Sequence, residues 1–134
     1  MTKVTVVSTI MRVVLGILFL AHGISKFQMG LGNVEEWFNS IGVPGVLAYG
    51  VAIFEVVGGI LLVIGLFTRY VSALYVIMLI GAIITVKLSV GLLGNGQMAG
   101  YELDLSLILM AIYLIVYENS PLSVDYAISR KYSA

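Results

Sequence analysis

Apolar residues in this chain come in long unbroken runs, without the alternation or narrow helical stripe of a half-buried surface. Four runs, Val6 to Phe27, Val43 to Phe67, Val71 to Val90 and Tyr101 to Tyr117, approach the ~20 residues a helix needs to cross hydrocarbon. The fourth is the shortest and starts with polar residues. Lys3 ahead of the first run resembles the front of a signal peptide. That run is too long for one, lacks a small-x-small cleavage site and precedes three more, so an uncleaved anchor is expected. The pattern predicts an all-α protein: an integral membrane four-helix bundle forming one transmembrane domain over residues 1–134.

The connections add detail. The tight FTRY turn between the second and third runs predicts antiparallel neighbours. The first connection has a period of its own, with Val34, Trp37, Phe38 and Ile41 at i, i+3, i+4 and i+7. Asn33 followed by Glu36 resembles a capping box, Gly42 offers a stop and Pro44 comes two residues later. A short amphipathic helix is therefore expected between spans one and two. It either lies in the membrane interface with Trp37 at headgroup depth or packs over the bundle mouth, and the two are compatible. The polar tail after Tyr117, ENSPLSVDY, is expected on the inner surface.

Composition narrows the chemistry. Of the 134 residues, 60% are hydrophobic and only 10% charged, and the mean hydropathy is +1.10; soluble domains are about one quarter charged. Seven basic residues balance seven acidic ones, so no basic excess points to nucleic acid. With no cysteine, disulfides, thiolate metal sites and iron–sulfur clusters are excluded, and a single histidine excludes a bis-histidine haem within one chain. No metal site is expected. Any redox role must use a bound small molecule, such as a quinone or flavin, or a partner protein.

Against this background the polar residues inside the runs stand out. In RVVLGILFLAHGISKF, residues Arg12, Gly16, Phe19, Gly23 and Lys26 share one helical stripe, bordered by His22. The glycines let another helix approach closely, so the stripe is expected to face protein. Arg12 and Lys26 lie near opposite ends, where snorkelling is the simpler reading for each. Glu55 cannot snorkel. It sits about a dozen residues from either end of the second run, ~16–18 Å deep at ~1.5 Å per residue. A carboxylate there costs ~2.5 kcal/mol or more unless it is paired or protonated. Gly58 and Gly59 lie one turn below it and Ala48 and Ala52 above, so Glu55 points into a close helix contact or a cavity.

In the third run Tyr75, Ala82, Thr85 and Ser89 form a stripe with Gly81 beside it, most simply read as helix packing. In the fourth, Glu102, Ser106, Leu109 and Tyr113 share a face with Asp104 adjacent; two acids in a first turn also complement the helix dipole. By depth and phase, His22, Lys26, Lys87, Glu102 and Asp104 are expected to form a polar funnel at the outer mouth, above Glu55. Arg12 is expected to close the bottom with Tyr117 or Glu118.

Four spans put both termini on one side. Lys3, Arg69, Arg130 and Lys131 lie there with Arg12 nearby, whereas Lys26 and Lys87 face Glu35, Glu36, Glu102 and Asp104 on the other side. The positive-inside rule then makes this a multi-pass protein of the cell membrane with both termini cytoplasmic.

At this point the sequence resembles the DoxX family of small four-span bacterial membrane proteins over nearly its whole length. The matching pieces are RVVLGILFLAHGISKF, IGVPG, FEVVGGILLVIGLFTRY, GYELDLSLILMAI and SPLSVDY, and the E-x-x-G-G-x-x-L-x-x-G-x-x-T-R pattern from Glu55 to Arg69 is the most specific. The likeness is nearest to a subgroup of low-GC Gram-positive bacteria associated with tolerance of catechols and methylhydroquinones. It implies a plasma-membrane bundle often labelled an oxidoreductase, with relatives that include a subunit of a thiosulfate:quinone oxidoreductase and others linked to oxidative-stress complexes. Arg12, Gly16, His22, Gly23 and Lys26 match the first-span pattern; Glu55, Gly58, Gly59, Gly65, Thr68 and Arg69 match the second. Gly100, Glu102, Ser123 and Asp125 match the rest, while Glu118, Asn119 and Ser120 replace a glycine pair common before the tail motif.

Two functions compete. In the first, a quinone- or catechol-handling redox protein uses Glu55 or His22 as the catalytic proton acceptor. Lys26, Arg12 or Tyr113 then donates to the substrate, with Lys87, Glu102 and Asp104 completing the binding site. In the second, the chain is a small-molecule transporter or a membrane anchor for a soluble redox partner, working as a homodimer. Purely structural packing with no ligand is the third possibility.

Overall fold

The Thr2 hydroxyl accepts the Thr5 amide and opens α1 (Lys3–Met29), which runs 27 residues before Gly30, at φ 90°, breaks it. The structure is a computed structural model describing residues 2–97, 99–117 and 123–133. After α1 come α2 (Leu31–Ser40), α3 (Leu47–Ile64) and α4 (Thr68–Ala82), which continues as one π-helical turn over Ile83–Lys87. A loop then leads to α5 (Glu102–Val116) and α6 (Val124–Ser133). No strand forms among the described residues. Lys3–Met29, Leu47–Ile64 and Thr68–Lys87 are long and apolar enough to cross a membrane, so this is an all-α membrane protein. At 15 residues, α5 spans ~22 Å, less than a ~30 Å hydrocarbon core.

The element ends differ from the expected ones for local reasons. Residues 43–46 turn around Pro44, so α3 starts at Leu47. It ends at Gly65 (φ 75°), where the Gly65 and Leu66 amides return to the Leu62 and Leu61 carbonyls in a Schellman arrangement. The expected capping box of α2 is absent: Gly30 is its N-cap, and the Asn33 side-chain amide donates to the Met29 carbonyl at 2.7 Å. Val34 and Phe38 are buried against Ala48, which packs α2 over one end of the bundle.

Two helix pairs make up the bundle: α1 packs most extensively on α3, and α4 on α5. A β-carbon on Gly16 or on Gly59 would stand 2.7 Å from the other's carbonyl oxygen, so α1 and α3 cross this closely only because both are glycine. The antiparallel helices α3 and α4 share a turn but pack much less. Tyr75 bridges them, lying where a Gly58 side chain would be and donating to the Glu55 carbonyl at 3.0 Å. Its ring stacks on Phe19 at 3.5 Å and 4°. With Leu15, Leu62, Leu107 and Leu114, this stack forms the centre of the core.

At the turn end, polar groups knit the helices together. Arg12 Nε donates to the Leu62 carbonyl at 2.9 Å, a cation at the carboxyl end of α3. Asp125 accepts the Phe67 and Thr68 amides at 2.8 and 3.0 Å, and its own amide donates to the Gly65 carbonyl at 2.9 Å. The tail thus caps α4 from outside, because Phe67 has no capping side chain of its own. Tyr113 pairs with Ser8 at 2.7 Å and Tyr117 with Thr5 at 2.9 Å. Glu118 lies outside the described residues.

Candidate functional site

Beyond the Phe19–Tyr75 stack, toward α2, the two helix pairs part and leave a partly open cavity of about 470 Å³ between them. That size falls within the ~300–1,000 Å³ of small-molecule sites. Helices α1 to α5 each contribute a wall. Phe19, His22 and Lys26 come from α1, Trp37, Phe38 and Ile41 from α2 with its adjoining turn, and Leu47, Val51 and Glu55 from α3. Met78, Leu79, Gly81 and Ala82 come from α4, Thr85, Val86 and Lys87 from its π-helical turn, and Leu103, Asp104 and Leu107 from α5.

Glu55 sits near the middle of α3 and is only 4% exposed. The buried stripe of small residues Ala48, Ala52, Gly58 and Gly59 turns this face inward. Lys26 extends back from the last turn of α1, and its Nζ donates to both carboxylate oxygens at 2.9 Å. Such a two-oxygen contact offsets much of the cost of burying the charges, in a setting where removing either partner strands the other. A second pair, Lys87 Nζ to Asp104 Oδ2 at 2.9 Å, joins the π-helical turn to α5. Each ion pair thus ties together one helix pair, and the cavity lies between them.

His22 lines the cavity one helical turn before Lys26. Its Nδ1 donates to the Leu18 carbonyl at 2.7 Å. A carbonyl only accepts, so in the neutral ring Nδ1 carries the hydrogen and Nε2 keeps the basic lone pair. Among the described residues no three His, Asp or Glu side chains gather at metal-binding spacing.

The residues singled out in the sequence divide into two sets. Glu55, His22, Lys26, Lys87 and Asp104 meet at the cavity; Arg12, Tyr113 and Glu102 do not line it. Arg12 and Tyr113 belong to the polar ties at the turn end. Glu102 is exposed, because α5 turns Asp104, Leu107, Ile108, Ala111 and Leu114 inward. The face expected from Glu102, Ser106 and Leu109 points outward, with Leu109 67% exposed. Gly81, Ala82 and Thr85, expected to serve helix packing, form cavity wall instead. The tie made by Asp125 has no signal in helical periodicity, because its partners lie across a long separation; only the family likeness of the tail drew it out.

The sequence model of the DoxX family matches residues 7–88. The chain belongs to the DoxX family. This DoxX protein is 43% identical over 116 residues to "Putative oxidoreductase CatD" of Bacillus subtilis (strain 168), covering 87% of this chain and 82% of that one. It is 31% identical to an uncharacterized membrane protein of Mycobacterium tuberculosis, covering 92% of this chain and 82% of that one. No solved structure matches the chain at a significant level.

Proposed function

We propose that this DoxX protein is a quinone- or catechol-handling redox protein, or a redox-associated subunit, whose ligand occupies the cavity between the helix pairs. The supporting observation is the meeting of two lysine–carboxylate pairs and His22 in one otherwise apolar cavity. A quinol needs an apolar slot, a donor for its oxygen and a group to take its proton. Lys26 supplies the donor, and turning toward the ligand it releases part of its hold on Glu55. Glu55 and His22 Nε2 then accept protons, while Lys87 and Asp104 hold a polar substituent farther out. Oxidation of a quinol to a quinone frees two protons and two electrons. The electrons pass to an acceptor outside these side chains: a flavin, a second quinone or a soluble partner protein. The name of the Bacillus subtilis relative favours redox chemistry.

In this reading α5 is the fourth span and both termini are cytoplasmic, with Lys3, Arg12 and Arg69 at the inner end. Transport, the competing function, would need a route past Leu15, Leu62 and Tyr75, all of them 0% exposed. This closed centre favours a site over a passage. Native mass spectrometry and an absorption spectrum of protein purified from membranes test the reading. A retained quinone, quinol or catechol supports it, and a protein that neither retains nor binds any of them on titration sinks it.

A further inference from the structure

The cavity wall is incomplete on one side. Helices α3 and α4 leave their shared turn together and meet where Tyr75 packs on Gly58. Beyond that contact the α4 side of the gap is lined by Gly81 and Thr85, both exposed. Gly81 sits in regular helix with nothing within 4 Å of where its β-carbon would stand. Thr85 folds its hydroxyl back onto the Gly81 carbonyl at 2.8 Å, so that hydroxyl is already engaged within the helix. Leu47 and Trp37, 50% and 45% exposed, line the same cavity from α3 and α2.

The depth of this opening decides what reaches it. Gly81 lies about 20 Å along the span from Thr68 and about 9 Å from Lys87, at ~1.5 Å per residue. Ile77, Ile80 and Ile84 around it are 67%, 44% and 63% exposed, as lipid-facing side chains are. At Gly81 the opening is deep enough to meet acyl chains, while Leu47 and Thr85 carry it toward the end of the spans nearer α2. We propose that the cavity fills from within the bilayer through this opening. Its ligand carries an apolar tail that lies beside Gly81 while the polar ring reaches Lys26 and Glu55. This rests on the quinone or catechol reading and narrows it to a membrane-dissolved, tailed aromatic in place of a water-borne ring.

The test compares a benzoquinone bearing a decyl tail with the same ring lacking it, bound to the full chain in lipid nanodiscs. Gly81→Leu and Gly81→Trp place a side chain in open space, so the fold has no clash to absorb. The preference for the tailed over the tail-free ring should fall about tenfold in both variants, the loss of about two buried methylene contacts. An unchanged preference, including equal weakening of both ligands, overturns the proposal while ring binding keeps the reading beneath it. If the wild type binds neither ligand, that reading falls and takes this proposal with it.

Discussion

Lys26 reaches from the end of α1 to the middle of α3 and holds both carboxylate oxygens of Glu55 at 2.9 Å. The contact answers the cost of an acid within an apolar helix, and it makes the two residues unequal partners. The Lys26 side chain is 18% exposed and that of Glu55 6%, so the acid is the more deeply buried of the two. Lys26→Met should therefore destabilise the protein by about 3 kcal/mol, the cost of stranding a buried charge. The double variant Lys26→Met with Glu55→Gln should recover at least half of that. Urea titration in detergent measures both, and additive losses would show that the pair is not coupled.

The glycines of α1 and α3 give a second contrast. In Gly59→Ala the new methyl group meets the Gly16 carbonyl and the Leu20 amide, both backbone, at 2.7 and 2.8 Å. Backbone cannot step aside, so about 1–3 kcal/mol of stability should be lost. Gly50, on the exposed face of α3, has nothing within 4 Å, and Gly50→Ala should gain about 0.5–1 kcal/mol through helix propensity. Thermal unfolding of the two variants should move in opposite directions; equal shifts would contradict the crossing described.

Asp125 is the cap of a helix to which it does not belong. Asp125→Ala removes the acceptor for the Phe67 and Thr68 amides and should cost about 0.5–2 kcal/mol. Hydrogen exchange should quicken at those two amides first, while amides near Glu55 keep their protection. Unchanged exchange at Phe67 and Thr68 would mean that the tail does not hold the turn.

How much of this is legible in the sequence depends on which physical signal marks a residue. Glu55 is legible because an acid in mid-span has few ways to exist, and the glycines at 16, 23, 58 and 59 mark the faces that touch. The choice between Glu102 and Asp104 is not legible. In α5, apolar residues surround both, and only contact with α4 fixes which one turns inward. The stripe from Tyr75 to Ser89 fails for a different reason. A π-helical turn at Ile83–Lys87 breaks the period, so Tyr75 is buried and Thr85 exposed. Arg12 carries a charge as conspicuous as that of Lys26, yet it serves a helix end. Charge and depth do not tell a ligand contact from a helix tie; the neighbours decide, and for Arg12 they are the Leu62 carbonyl and Gly65.

Ligand binding at the Lys26–Glu55 pair is tested most directly by titrating a benzoquinol into the wild type and into the Lys26→Met, Glu55→Gln double variant, both in nanodiscs. Loss of charged hydrogen bonds worth about 1.5–3 kcal/mol should weaken binding by about ten- to a hundredfold. Equal affinity in the two proteins would contradict the assignment of this cavity as the site.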